Sequence, residues 1–511
     1  MKSFVTSVLA VALLSGMATS LRAQPSRSVA SVQANCAELA NQAITATNLL
    51  SATVVAAASG LPEYCRVLGY IRPAINFELR LPTQTWNHKF LMAGCGGFCG
   101  RVLNDAPNFL NALKRGYATV TTDTGHWGSM GLDGRWAYHN PVAKADYGWR
   151  GVNETTRVAR QLTSVYYKND IQYAYYDGCS NGGRQGLMQA TRYPDDYDGI
   201  LVGAPAQNVV GLTAFFTSVL KADRGADGEP ILDTAKIAVV RRAVAKQCGD
   251  ATGLIADPST CRFDPTSLQC KAEDADDCLT PKEIAVVRDW YAPPATTSGK
   301  PLLASGVPYG SEPFWAAGPG MPAASALEPL KLASRGLLSF IIMEPEPGET
   351  YDPATFDFDT DIAKIERLGR ALTPSADLRP FAAGGGKMIM VQGWADQMVP
   401  PAATIDYFEQ ARGMLGEKAP EALRLFMVPG MAHCGNPPGV SVPGFDSSDY
   451  DALTALEDWV EKGVAPAHIQ AVKHDASGAA LFSRPLCPFP SHPRYRGSGD
   501  RNDSHNWSCS S

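Results

Sequence analysis

The stretch YYDGCSNGGRQG, residues 175–186, holds a serine between two glycines, with a cysteine directly before it. Upstream, IQYAYYDG (171–178) is rich in aromatic residues and reads as a strand. Downstream, GGRQGLMQATRYP (182–194) has helical spacing and stops before Pro194. Strand, small-residue turn and helix are the setting in which Gly178-x-Ser180-x-Gly182 exposes a hydroxyl at the edge of a sheet. Cys179 needs an explanation of its own.

Working outward, INFELRLP (75–82), KFLMAGCGG (89–97) and YATVTTDTG (117–125) are strand-like runs set off by Pro, Asn and Gly. TRVARQLTSVYY (156–167) places apolar side chains at helical spacing. After YDGILVGAPA (197–206) the character changes, and residues 207–374 hold four cysteines and many prolines. Alternating strand and helix return in KMIMVQGWADQ (387–397), ATIDYFEQARGML (403–415) and RLFMVPGMAHC (424–434). The pattern predicts one α/β layer, residues 24–206 and 375–511, interrupted by an insertion at 207–374. Beyond Leu486 the tail is polar and rich in Gly and Ser.

A chain of 511 residues can bury a large core, and 45% apolar with 19% charged residues describes a globular protein. A formal charge of −6 gives no reason to expect nucleic acid as a partner. The start, MKSFVTSVLAVALLSGMATSLRAQ, has the basic, apolar and small-residue succession of a signal peptide, taken as residues 1–23. Its apolar run breaks too soon for a membrane span, and no later stretch is long and apolar enough to be one. A secreted or periplasmic protein is expected. Twelve cysteines fit an oxidising destination, and with no C-x-x-C pair among them, metal–thiolate chemistry is the weaker alternative.

A serine hydroxyl is a poor nucleophile until a base takes its proton, and the base needs an acid to hold its tautomer. In α/β hydrolases the acid and then the base follow the nucleophile, each on a loop after a late strand. Asp396 follows KMIMVQGWA and His433 follows RLFMVPGMA, in that order behind Ser180. His88, His126 and His139 precede the serine, while His468, His474, His492 and His505 have no comparable strand before them. Donors for a developing oxyanion are expected from the amide of Asn181 and from Gly96 or Gly97 in AGCGGFCG (93–100), where no Cβ would block an approach. With Ser180 and His433 in contact, Cys179 and Cys434 would come within bridging distance. Sequence alone leaves the alternative that each pairs elsewhere.

GCSNGGR, GWADQMVPP and GMAHC together resemble the tannase and feruloyl esterase family of α/β hydrolases, with similarity running from LPEYCRVLGYIRP (61–73) to the end. The resemblance implies an α/β-hydrolase fold, rich in disulfides, with a large lid domain inserted after GAPA. It implies Ser180 as nucleophile, Asp396 as acid, His433 as base and a Cys179–Cys434 disulfide under the serine and histidine. By the same analogy Cys248 pairs with Cys261, Cys270 with Cys278 and Cys487 with Cys509. Cys36, Cys65, Cys95 and Cys99 are left over, and Cys36 with Cys65 is a guess.

The implied activity is a serine ester hydrolase for esters of aromatic acids, feruloyl or other hydroxycinnamoyl and galloyl esters, attached to plant polysaccharide or polyphenol. A hydrolase of mono(2-hydroxyethyl) terephthalate is the alternative within the family, and a silent binding protein is a third reading. No cofactor is required and no membrane partner is expected. Family members often hold calcium in an aspartate-rich lid loop. Here CGDATGLIADPSTC (248–261) keeps Asp250 and Asp257 but is shortened, with Thr252 where an aspartate is expected, which weakens the case for the ion. Phe314 and Trp315 are candidates for the lid side of a pocket or, slightly favoured, for its packing.

Overall fold

Strand order explains how distant segments reach one edge. In the computed structural model, β1 (Thr47–Val55), β2 (Tyr64–Ile71), β3 (Ile75–Pro82), β4 (Lys89–Ala93), β5 (Ala118–Thr122), β6 (Tyr173–Cys179), β7 (Gly199–Gly203), β8 (Lys387–Gly393) and β9 (Leu423–Val428) form one sheet in the order β1-β2-β3-β5-β4-β6-β7-β8-β9. The structure describes Met1 and residues 35–510 except 130, 272–275, 316–327, 439, 441 and 476. The signal peptide expected at 1–23 therefore lies outside the described residues, Met1 apart.

From β5 to β9 every neighbouring pair is parallel, while β1, β2, β3 and β5 pair antiparallel. Parallel strands joined by helical crossovers are covered on both faces, and their sequences are accordingly mostly apolar. Phe90 and Met92 of β4, with Met388 and Met390 of β8, enter the core beneath helices Gly151–Tyr167, Asn181–Arg192 and Pro401–Leu415. Their neighbours Leu91, Ala93, Ile389 and Val391 enter the opposite core, against helices Pro107–Lys114 and Ala452–Lys462. All the parallel strands run the same way, so their C-terminal ends share one edge.

Between β7 and β8 the described chain is helical. Helices Val209–Ala222, Thr234–Cys248, Pro281–Tyr291, Glu328–Gly336 and Ile362–Ala371 enclose a third core around Phe215, Trp290, Trp315 and Phe356. That core also takes in Phe98, Tyr147 and Val399 from the sheet's edge, so the insertion is packed onto the layer it interrupts. The polar tail forms an antiparallel pair, His492–Tyr495 with Trp507–Ser510.

Six disulfides join Cys36–Cys65, Cys95–Cys99, Cys179–Cys434, Cys248–Cys261, Cys270–Cys278 and Cys487–Cys509. Cys95 and Cys99, which the sequence left without partners, close a loop of their own directly after β4. No helix among the described residues is long and apolar enough to cross a membrane.

Candidate active site

Ser180 stands where β6 ends and the helix Asn181–Arg192 begins. Its backbone has φ 62° and ψ −123°, a conformation that L-residues rarely adopt and that the surrounding turn must enforce. The Ser180 amide donates to Gly203 O at 2.9 Å, and its carbonyl accepts from the amides of Arg184 and Ala206. Gly178 is required by closeness: a Cβ there would lie 2.7 Å from the Gly182 carbonyl carbon.

The three residues singled out from the sequence meet at the sheet's C-terminal edge. His433 Nε2 lies 2.8 Å from Ser180 Oγ, and Nδ1 lies 2.9 and 3.1 Å from Asp396 Oδ2 and Oδ1. An ionised carboxylate only accepts, so Nδ1 carries the proton and Nε2 is left to accept from the serine hydroxyl. Asp396 is fully buried and fully served. The amides of Met398 and Val399 donate to its Oδ1 at 2.9 and 2.8 Å, and Gln392 Nε2 donates to Oδ2 at 2.9 Å. Gln392 is itself fixed by the Thr404 hydroxyl, 2.7 Å from its Oε1. Gln392 escapes sequence reasoning; its one signal is an amide inside the apolar run of β8.

Cys434 follows the histidine with φ 61°, and its bridge to Cys179 fastens the loop after β9 to the turn carrying Ser180, across 255 residues of sequence. Asn436 Oδ1 accepts from the Ala432 amide at 3.0 Å and steadies the same loop.

As the first residue of its helix, Asn181 has an amide with no partner inside that helix, and it lines the same cavity as Ser180. Gly96 and Gly97 line it too. The steric reason for the glycines differs from the one expected. A Cβ on Gly96 would meet nothing within 4 Å, whereas one on Gly97 would lie 2.2 Å from Gly131 O, and Gly97 has φ +57°. Glycine at 97 is thus demanded by the passing loop rather than by access to a bound group. The Cys95 amide just before them is occupied by Gln185 Oε1 at 3.2 Å.

Arg184 was also missed by sequence reasoning. It is 1% exposed, and its guanidinium donates to Tyr147 O, Gly148 O, Leu372 O and Asn181 Oδ1 at 2.8–3.2 Å, with the Tyr147 ring 4.8 Å below it. Burial lowers its pKa, and with no carboxylate in reach among the described residues the carbonyl dipoles solvate the charge. One side chain thereby ties the serine's helix to the segment before Gly151–Tyr167 and to the end of the insertion.

Ser180 and His433 open on a cavity of about 1110 Å³. Leu212, Phe216, Leu337 and Leu372 of the insertion form one wall, and Phe98 and Leu132 continue it. Phe314 and Trp315 are not part of that wall. Trp315 packs edge-on to Trp290 with ring centroids 5.0 Å apart, and Phe314 packs on Ala395 and Ala432, beneath the loops of Asp396 and His433.

The residues of the shortened calcium-type loop do not fit the ion. Asp250 Oδ1 accepts from the Thr252 amide, the Thr252 hydroxyl and the Leu254 amide, and Asp257 Oδ1 accepts from the Ser259 amide. Both carboxylates cap their own turns instead of converging on a cation, and no group of three or more His, Cys, Asp or Glu among the described residues is arranged to hold a metal.

Against known proteins, the model of the tannase and feruloyl esterase family matches residues 59–510. An uncharacterized esterase of Xanthomonas campestris is 35% identical, covering 94% of this chain and 92% of that one. A mono(2-hydroxyethyl) terephthalate hydrolase of Piscinibacter sakaiensis is 32% identical, covering 90% and 87%. The crystal structure of feruloyl esterase B from Aspergillus oryzae superposes with a TM-score of 0.81 at 26% identity, over 94% of this chain and 100% of that one. With an α/β sheet, a serine on a strained strand-to-helix turn and a family match over nearly all the described residues, the chain belongs to the tannase and feruloyl esterase family of carboxylic ester hydrolases.

Proposed function

We propose that Ser180, His433 and Asp396 are a catalytic triad that hydrolyses esters of aromatic acids, hydroxycinnamoyl or galloyl, through an acyl-enzyme. The single observation carrying this reading is the hydrogen-bonded chain from Asp396 through His433 to Ser180 in the wall of a largely apolar cavity. As Ser180 Oγ attacks the ester carbonyl, His433 Nε2 takes its proton and then gives it to the departing alcohol. Water repeats the two transfers and frees the acid. Asp396 holds the imidazole in register and stabilises its transient positive charge. The amides of Asn181 and of Gly96 or Gly97 are the donors for the oxyanion.

Residues 207–374 act as a lid whose apolar side chains shape the acyl pocket. Esters on plant polysaccharide or polyphenol suit an enzyme that leaves the cytoplasm, and six disulfides support that destination. A second reading, a terephthalate monoester hydrolase, is favoured by the 32% identity to the Piscinibacter sakaiensis enzyme.

A burst of p-nitrophenol from p-nitrophenyl acetate, abolished by a serine-directed fluorophosphonate, is the expected result. A protein whose release of p-nitrophenol the fluorophosphonate leaves untouched is not a serine esterase. Rates on methyl ferulate, methyl gallate and a terephthalate monoester then separate the two readings.

A further inference from the structure

The cavity is longer than the space in front of Ser180. Past the Cys179–Cys434 bridge it continues between the sheet and helices Pro107–Lys114 and Ala452–Lys462, where Leu201, Val391 and Leu453 give it apolar walls. Asp177 lines this arm. Side chains alternate along a strand, so Asp177 shares the face of Tyr175, which is packed in the core beneath Ala452–Lys462. It stands three residues before Ser180, about 10 Å of extended chain.

The main-chain oxygen of Asp177 accepts from the Gly94 amide at 2.9 Å and from Asn108 Nδ2 at 3.0 Å. Its carboxylate accepts no hydrogen bond and joins no ion pair among the described residues. The groups near it are Asn108, committed to that main-chain oxygen, and the Tyr450 phenol, whose pKa burial raises first and the Asp446 and Asp177 charges raise further. Lys114, Arg115 and Asp451 line the far end of the arm, where Arg115 is engaged by Glu457 and Asp451. A carboxyl group in an apolar arm is costly unless something outside the fold supplies its partner, and such groups concentrate at functional sites.

We infer that Asp177 binds a hydroxyl group of the ester and so sets specificity from the arm of the cavity behind the nucleophile; this rests on the esterase reading above. Burial pushes the Asp177 carboxyl up to about 7, so near neutrality both of its forms are present. A hydroxyl suits each, donating to the carboxylate and accepting from the acid, whereas a cation suits only one. That hydroxyl comes from the acid, as a phenol, or from the alcohol, as on a sugar.

Two ester pairs, each differing by one hydroxyl, test the inference: methyl 4-hydroxycinnamate against methyl cinnamate, and 2-hydroxyethyl benzoate against ethyl benzoate. In the wild type, kcat/KM is expected to favour the hydroxylated member of one pair at least tenfold. The responding pair tells which end of the ester Asp177 holds. In Asp177→Leu that preference falls to within about twofold of unity, through KM more than kcat, and in Asp177→Asn it falls at least threefold. Should the leucine variant not fold, the isosteric asparagine variant carries the test. No preference in the wild type for either pair, or a preference unchanged in the folded variants, overturns the inference. Turnover of p-nitrophenyl acetate keeps the two levels apart: a wild type that cleaves it without preference refutes the role of Asp177 alone, and a wild type inert to every ester refutes the esterase reading.

Discussion

Two acids stand at the same edge of the sheet, Asp396 after β8 and Asp177 near the end of β6, and their surroundings are opposite. Asp396 receives two amides, one side-chain amide and one imidazole, and nothing about it is left for a ligand. Asp177 receives none of these on its carboxylate and faces open space. A carboxylate whose lone pairs are all taken is held in place, which suits a fixed structural setting. One whose lone pairs are free is poised for a guest. Asp396 is fully buried and Asp177 partly so, and the sharper difference lies in their hydrogen-bond partners.

The sharpest way to break this contrast is to remove the groups that Asp396 serves. Ser180→Ala and His433→Ala are each expected to lower kcat at least about 10⁴-fold with the fold intact, since the members of a triad act as a unit. Turnover within tenfold of wild type, with an unchanged near-ultraviolet spectrum, would contradict the assignment. Asp396→Asn keeps the shape but loses the charge and the tautomer control, and a loss of about 10³- to 10⁴-fold in kcat is expected from steady-state rates.

Next comes the bridge that fixes His433 relative to Ser180. Replacing Cys179 and Cys434 together by alanine should reduce kcat by about a hundredfold while KM changes little, because a drift near 1 Å is enough to misalign the proton transfer. An equal change in KM would place the effect in substrate binding instead.

The smallest effect concerns stability. The carboxyl of Asp177 is raised in the folded protein from 3.8 to about 7. The folded state therefore holds that proton more tightly than the unfolded chain, and stability is lost as pH rises through the window from about 4 to 7. Asp177→Asn removes the titration, so its Tm should exceed that of wild type at pH 8 and the gap should close by pH 4. Melting curves at the two pH values measure it, and a gap that does not change with pH would sink the claim.

The central sheet and the three residues at its edge were legible in the sequence for a physical reason. Parallel strands buried on both faces appear as mostly apolar runs, and the loops after them place Ser180, Asp396 and His433 at positions set by chain order. The half-exposed elements were harder. β1, TNLLSATVV, mixes exposed and covered positions without clean alternation, and the paired tail strands are polar. Arg184 and Gln392 were invisible because their partners include main-chain carbonyls and a distant hydroxyl, which leave no complementary charge pattern to read. The Cys95–Cys99 pair depends on a loop in which Cys99 has φ +59°, a backbone choice that composition does not announce.

The insertion also separates the site in time. Ser180 precedes His433 by 253 residues, with the whole helical insertion between them. At synthesis rates of about 5–20 residues per second, roughly 10–50 s pass between the appearance of Ser180, the proposed nucleophile, and that of His433, its proposed base. β8 and β9 can join the sheet only after the insertion has been made, so on the proposed triad Ser180 waits for its base until then. On the proposed triad, a ribosome that stalls anywhere before β9 would leave behind a fragment without the base, inert rather than an unregulated esterase.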